Sequence, residues 1–349
     1  MPQKNLPPYE TTGAMLLQNS TPQDDGFFFP AEWQPHEATI IALPPAPNWG
    51  GFSMTDVRQE WANVANTIAN YEAVVMIVHP NDIAIAKRLL SSSIRIVKIP
   101  INDGWSRDSG PIVLINAQGE KRVAGFTFNS WGEKYKPYQD DALLKARLCT
   151  YLNIPFYPVD LVLEGGAITV DGEGTLITTE QCLLNPNRNP KKTRAEIEQP
   201  LKQNLNVRKI IWLGQGIVPD PITDGHTDGL CVFAAPGTVL LNTTNDRSDP
   251  NFAICQDAKK RLQEATDTNG RQFNIIEIPL AVDVLHINFY LANNAVIVPI
   301  ANDHEQDDRP LAILKEVFPT REIAGVSGQI LAKGAGGIHC ITQQVPKAA

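Results

Sequence analysis

The stretch RDSGPIVLINAQGEKRVAGFTF, residues 107–128, decides the fold. It opens on a charged pair, runs through an apolar strand, turns at a glycine and returns as a second apolar strand, which is the pattern of a β-hairpin. Three other segments have the same shape: EGGAITVDGEGTLIT (164–178), HTDGLCVFAAPGTVLLN (226–242) and HINFYLANNAVIVP (286–299). Their leading polar residues, Asp108, Glu164, His226 and Asn288, are spaced by 56, 62 and 62 residues, and a further step of 52 lands on Cys340 in GAGGIHCITQQ (334–344). A helical pattern falls between successive hairpins. A repeat of about 60 residues indicates a radial or stacked array of modules. A ring of five hairpin-plus-helix modules would bring the five leading positions to one shared axis and leave few open sheet edges.

The intervening helices are readable from their periodicity. Residues 55–70 place Val57, Trp61, Val64 and Ile68 on one face, with Thr55 as the expected N-cap. Others are expected near 81–91, at 140–152 capped by Asp140, and at 193–205, where Pro200 should kink the helix. Asp249-Pro250 should open a helix over 250–267, and Asp308 with Pro310 one over about 309–317. Residues 1–25 are polar, Pro-rich and aperiodic and are expected to form an N-terminal arm; residues 26–349 are expected to form a single α/β domain.

The chain has 349 residues, is 43% hydrophobic and carries a formal charge of −8. The charge argues against nucleic acid as a partner, since phosphate neutralisation needs clustered Lys and Arg. It is compatible with a cationic ligand or simply with solubility. No stretch approaches the roughly 18 apolar residues of a membrane helix. The start, MPQKNLPPYETTG, lacks the basic and then apolar pattern of a secretory signal. The five cysteines are scattered and form no CxxC pair, so free thiols in a reducing cytoplasm are expected.

Two readings of Cys340 are open from the residues alone: a small core residue between Ile338 and Ile341, or a reactive thiol with glycines clearing room around it. A cysteine nucleophile needs an acid/base partner, and the partner needs an orienting group. His226 and a carboxylate supply these. Asp108 and Asp228 exceed what a thiol hydrolase needs, because carboxylates around a thiol suppress its thiolate. They make sense if the substrate brings a positive charge. A guanidinium does so: it is planar and forked, has a pKa above about 12, and matches carboxylates. No metal is expected, because HxD with a distant cysteine is not a zinc spacing, and His339 and Cys340 should face opposite sides of a strand. The Gly-rich pieces complete neither a dinucleotide nor a P-loop motif.

Six segments carry a resemblance: STPQDDGFFFPAEWQPHEATIIALP, NDGWSRDSGP, LEGGAITVDGEGTLITTEQCLLNPNRNP, TDGHTDGLCVFAAPGTVLLN, INFYLANNAVIVP and GAGGIHCITQQVP. In this order, over about residues 20–346, the chain resembles the agmatine deiminase family, a branch of the guanidine-modifying superfamily related to bacterial peptidylarginine deiminases. The resemblance implies a five-bladed α/β propeller of pseudo-fivefold symmetry. It implies hydrolysis of a guanidine to a ureido group with loss of ammonia, in polyamine synthesis when the substrate is agmatine. It places Cys340 as nucleophile, His226 as general acid/base, Asp108 and Asp228 on the guanidinium, Glu164 orienting the histidine, and Trp105 lining the substrate. Asp224 and Trp105 are candidates for the substrate's far end. No cofactor is implied. Homo-oligomers are common in the family, but no interface signal is visible here. Departures fall at 39–51, where only Trp49 remains of the usual tryptophans, at 281–290 with Asp283 and His286, and at Gly337, where the family has Asn. Alternatives are a deiminase of free arginine or peptidyl-arginine, an amidinotransferase, and a catalytically silent propeller used for binding.

Overall fold

The computed structural model describes residues 7–45 and 51–348. Among them are five small sheets built to one plan. In the first, Ile112–Ile115 pairs antiparallel with Lys121–Thr127, which pairs in parallel with Phe156–Val162. The same order recurs in Ile168–Val170, Thr175–Thr179 and Lys209–Leu213, in Cys231–Ala235, Thr238–Thr243 and Asn274–Pro279, and in Tyr290–Ala292, Ala295–Ile300 and Glu322–Ser327. Each hairpin is a local event, closed by a short turn. Each third strand is parallel and so requires a crossover, and a helix supplies it. Gln139–Leu152, Arg194–Leu205, Asn251–Glu264 and His304–Val317 fill these places in chain order.

The fifth sheet joins the two ends of the chain. Thr342–Pro346 pairs antiparallel with His36–Leu43, in a register that sets Ile41 opposite Thr342 and Thr39 opposite Gln344. His36–Leu43 continues in parallel to Ala73–Val78 and then Arg95–Lys98. The fifth hairpin is therefore made from strands about 300 residues apart in sequence, a pairing that no local turn could encode. A buried polar network locks this sheet to its neighbour. Tyr290 Oη donates to Glu72 Oε1 at 3.0 Å, and Thr39 also donates to that oxygen. Asn293 grips the His36 backbone in both directions.

Helix Met54–Ile68 shows how the core is filled. Val57, Trp61, Val64 and Ile68 are fully buried and pack with Ile41, Met76 and Val78. Burial of each such side chain contributes about 1.5–3 kcal/mol. Its start differs from expectation: Ser53, not Thr55, is the N-cap and accepts from Asp56 N. Gln139–Leu152 follows Tyr138, with Asp140 inside the first turn. Asn251–Glu264 begins one residue later than expected, and Asp249 Oδ1 still accepts from Asn251 N at 2.8 Å. His304–Val317 begins five residues earlier than expected, because Asp303 caps it through Glu305 N, and Pro310 lies within it. Arg194–Leu205 runs on through Pro200, started by a capping box of Thr193 and Glu196. At Ser53, Thr193 and Asp303 a side-chain oxygen that takes a first-turn amide sets the boundary more strongly than the first apolar residue does. Within the N-terminal segment, Tyr9 is buried edge-on against Phe156, and Leu17 N donates to Phe156 O.

Candidate active site

Four of the five hairpins are preceded by a single helical turn, and the fourth hairpin by an ordinary turn that carries Asn288. Ser106–Ser109 carries Asp108, Gly165–Ala167 follows Glu164, Thr227–Gly229 carries Asp228 just after His226, and His339–Ile341 carries Cys340. The repeat phase noticed in the sequence is thus the phase of these turns. Asp108, Glu164, His226, Asp228, Asn288 and Cys340 are all buried.

His226 stands between two carboxylates. Its Nδ1 is 3.9 Å from Asp108 Oδ2, and its Nε2 is 3.8 Å from Glu164 Oε2. Neither ring nitrogen has a hydrogen-bond partner. Burial opposes its charge, but the Asp108 charge, together with Cys182 and Glu164, outweighs burial and holds the imidazole well above its usual range. Glu164 Oε1 accepts from Arg188 Nε at 2.6 Å, both side chains being fully buried. Burial works against the Glu164 charge, yet Arg188 and His226 keep it ionised below the ordinary glutamate value. Asp108 Oδ1 accepts from Gly166 N and Oδ2 from Trp131 Nε1, at 3.0 and 2.9 Å. Burial, with added repulsion from Asp228 and Glu164, raises its pKa. Trp131 reaches it from a left-handed turn in which Ser130, Trp131, Gly132 and Glu133 have φ of 55°, 52°, 88° and 59°. Such conformations are unfavourable for residues with a Cβ and concentrate at functional sites.

Gly166 is the point where these groups nearly touch. A Cβ there would lie 2.6 Å from His226 Nδ1, 2.8 Å from Asp228 Oδ2 and 3.1 Å from Asp108 Oδ1. Gly166→Ala is therefore expected to displace all three and lower kcat by about 100-fold or more, with the fold retained by circular dichroism. Wild-type turnover in this variant would show that the three groups do not act together.

On the nucleophile side, Cys340 Sγ is 3.5 Å from Asp228 Oδ2 and 3.4 Å from Asn288 Oδ1. Burial, then Asp228 and Asp108, push the thiol well above its usual value. His339 does not point away from Cys340 as a strand would require. The pair sits in a helical turn, and His339 Nδ1 lies 2.9 Å from Asp228 Oδ2, the same oxygen that faces the thiol. Its Nε2 is 2.9 Å from Glu32 Oε1, which also takes Arg107 Nη1 at 3.1 Å. Burial and Arg107 oppose the His339 charge, but Glu32 and Asp228 prevail and raise its pKa. Asp228 is held below the usual carboxylate range against its burial, chiefly by His339. Glu32, Arg188, Cys182 and Trp131 were not singled out in the sequence, and His339 was expected to face away from the site. Their signal is weak, since each sits far in the chain from the group it supports. Arg107 is structural, bonding Glu32, Gln344 and the His339 carbonyl.

A cavity of about 550 Å³ opens over this base, lined by His226, Asp228, Asn288 and Cys340 and walled by Leu280–Leu285 and Ala332–Gly336. Asp220, Asp249, Asp283 and Lys333 carry the charges of its outer wall. Asp224 is not on that wall: it is committed to Lys134 at 2.8 Å, Arg188 at 2.8 Å and Asn187 at 2.9 Å, and so steadies the arginine behind Glu164. Trp105 packs edge-on against Trp61 behind Gly336, where a Cβ would stand 2.3 Å from its ring. At Gly337 a Cβ would meet Asn288 Oδ1 at 2.4 Å. These two glycines therefore make room for Trp105 and Asn288 rather than for a ligand directly. His286 turns away from the cavity and pairs with Asp307 at 2.7 Å, while Asp283 accepts from Gln306 at the rim. Trp49 lies outside the described residues.

Comparison with known proteins identifies the family. The family model described as Porphyromonas-type peptidyl-arginine deiminase matches residues 28–346. An agmatine deiminase of Pseudomonas aeruginosa is 40% identical over 95% of this chain and 99% of its own, and one of Medicago truncatula is 38% identical over 95% and 100%. The solved agmatine deiminase of Enterococcus faecalis superposes with a TM-score of 0.93 at 34% identity, covering 96% of this chain and all of its own. The turns that deliver Asp108, Glu164, His226, Asp228 and Cys340 all fall inside the matched region, and the chain belongs to the Porphyromonas-type peptidyl-arginine deiminase family, on its agmatine deiminase branch.

Proposed function

We propose that the protein hydrolyses agmatine to N-carbamoylputrescine and ammonia through a covalent Cys340 thiouronium. The observation that carries this reading is the placement of Cys340 and His226, with Asp228, at the base of one cavity, with Asp108 beside Nδ1 of the histidine and Glu164 beside its Nε2. Without substrate the thiol and imidazole are both protonated, given the shifts above. A guanidinium held by Asp108 and Asp228 adds a positive charge beside Cys340 and favours the thiolate. The thiolate attacks the guanidinium carbon, His226 protonates the departing nitrogen, and ammonia leaves. A water deprotonated by His226 then attacks the thiouronium, and the thiol is expelled. Glu164, fixed by Arg188, holds the imidazole in place throughout.

Agmatine carries a second cation at its far end, and the three carboxylates of Asp220, Asp249 and Asp283, against the single cation of Lys333, support its choice over arginine, whose carboxylate this net negative wall would repel. The five like sheets, with one leading turn each and with the chain ends paired, support a five-bladed α/β propeller of pseudo-fivefold symmetry. The five cysteines are free, which supports a reducing cytoplasm. Among the described residues no helix is long and apolar enough to cross a membrane.

Ammonia release from agmatine, arginine and a blocked arginine peptide tests the substrate: agmatine should have the highest kcat/KM, and equal or better turnover of arginine overturns it. The charge argument has its own test. At pH 7 a cationic haloacetamidine should alkylate Cys340 about tenfold or more faster than neutral iodoacetamide, with agmatine protecting. Equal rates would mean that no cation is needed to form the thiolate.

A further inference from the structure

Behind His226, on the Glu164 side, lies a group that the proposed reaction does not use. Cys182, on the short helix Glu180–Leu183, places its Sγ 4.0 Å from Glu164 Oε2. Glu164 Oε2 is in turn 3.8 Å from His226 Nε2, and one donor atom from each of the three residues lies within 4.8 Å of the others. A tetrahedral zinc ion with bonds of about 2.3 Å to sulfur and about 2.0–2.1 Å to nitrogen and oxygen sets its ligand atoms about 3.3–3.6 Å apart. Two of the separations, 3.8 and 4.0 Å, stand within about 0.5 Å of that spacing, and the third, within 4.8 Å, closes by side-chain rotation.

Two features beyond proximity point to a ligand. His226 is buried with both ring nitrogens unpartnered, so one of them is available to an ion. The supporting groups also have the arrangement that tunes a metal site. Arg188 holds Glu164 Oε1 and leaves Oε2 as a single donor, and Asp108 Oδ2, 3.9 Å from His226 Nδ1, is the carboxylate on the far side of the ring, within a small movement of the hydrogen bond that orients a ligating imidazole. Of the three residues, His226 also lines the cavity. The sequence hides this site because its ligands come from three separate segments and form no short spacing.

We propose that Glu164, Cys182 and His226 form a binding site for a thiophilic divalent cation of the zinc class, distinct from the Cys340 nucleophile. Binding replaces the Cys182 thiol proton and the His226 Nε2 proton, releasing two protons to solvent, and leaves a dicationic metal facing one thiolate and one carboxylate. With His226 coordinated, no acid remains for the leaving nitrogen, so the cation inhibits the deiminase. That inhibition rests on the proposed function; the binding itself does not.

The test separates the two. Metal-free Cys340→Ser protein, which lacks the nucleophile thiol, is titrated with Cd²⁺ while the thiolate-to-cadmium absorbance in the ultraviolet is followed. A band saturating at one ion per chain is expected, with affinity about 100-fold or more weaker once Cys182→Ser is added. Loss of the band in Cys340→Ser alone, or no effect of Cys182→Ser, overturns the site. Zinc-edge X-ray absorption of zinc-loaded Cys340→Ser protein gives an answer that does not depend on a Cys182 variant folding. One sulfur and one imidazole are expected, and a shell without sulfur overturns the proposal.

Discussion

Cys340→Ser is expected to lower kcat by about 10⁴-fold or more while agmatine still binds. Serine fits the space, and its hydroxyl can face Asn288 Oδ1 and Asp228 Oδ2 as the thiol does. The lost quantity is chemical. Burial, Asp228 and Asp108 already push the thiol well above its ordinary range. An alcohol starts several units higher and cannot be ionised there even with a guanidinium bound. Substrate binding by calorimetry, measured beside turnover, separates this from misfolding. Retained deiminase activity in Cys340→Ser would remove Cys340 from the mechanism.

His226→Asn is expected to lower kcat by about 10³-fold, within the range for loss of a general acid/base. It should also change the shape of the pH profile. With its pKa raised, His226 stays an imidazolium through neutrality, so wild-type kcat should fall on the alkaline side as the imidazolium is lost. The variant should lack that alkaline limb. An unchanged limb would assign it to another group. The same shift has a consequence for stability. A histidine that is charged in the fold above its unfolded pKa contributes stability fully below about pH 6.5. That contribution is lost as pH rises through the raised folded value. His226→Asn should therefore be less destabilised by alkaline pH than the wild type.

Much of the site was legible because the protein repeats. Asp108, Glu164, His226, Asn288 and Cys340 share one phase, and that phase is the turn leading into each hairpin. Periodicity also revealed the helix that buries Val57, Trp61, Val64 and Ile68. Its boundary was not legible, since whether Ser53 or Thr55 caps it depends on a single hydrogen bond to Asp56 N. The supporting tier was hidden for a related reason. Glu32 meets His339 across a separation of 307 residues, and Arg188 meets Glu164 across 24, with no pattern in the intervening chain to announce either pair.

Asp224 shows the difference at one residue. Its place beside His226 in TDGH suggested a contact with substrate. In the fold its backbone is left-handed, with φ of 60°, and its carboxylate is spent on Lys134, Arg188 and Asn187. Gly337 shows it in the other direction. In the sequence it is a missing asparagine; in the fold, Asn288 occupies the space where a side chain at 337 would begin.

The sequence by itself determined the local matters: hairpins from alternating apolar runs and turn residues, helices from apolar periodicity, and the set of reacting residue types. Each depends on contacts within a few residues, where chain stereochemistry and burial act directly. Tertiary structure alone decided which charges offset one another. The Thr342–Pro346 strand has no partner until His36–Leu43 returns to it, and only then does Cys340 meet Asp228, and Asp228 meet His339. Ionisation inside a protein is set by distances between buried groups, and those distances exist only once the ends of the chain have joined.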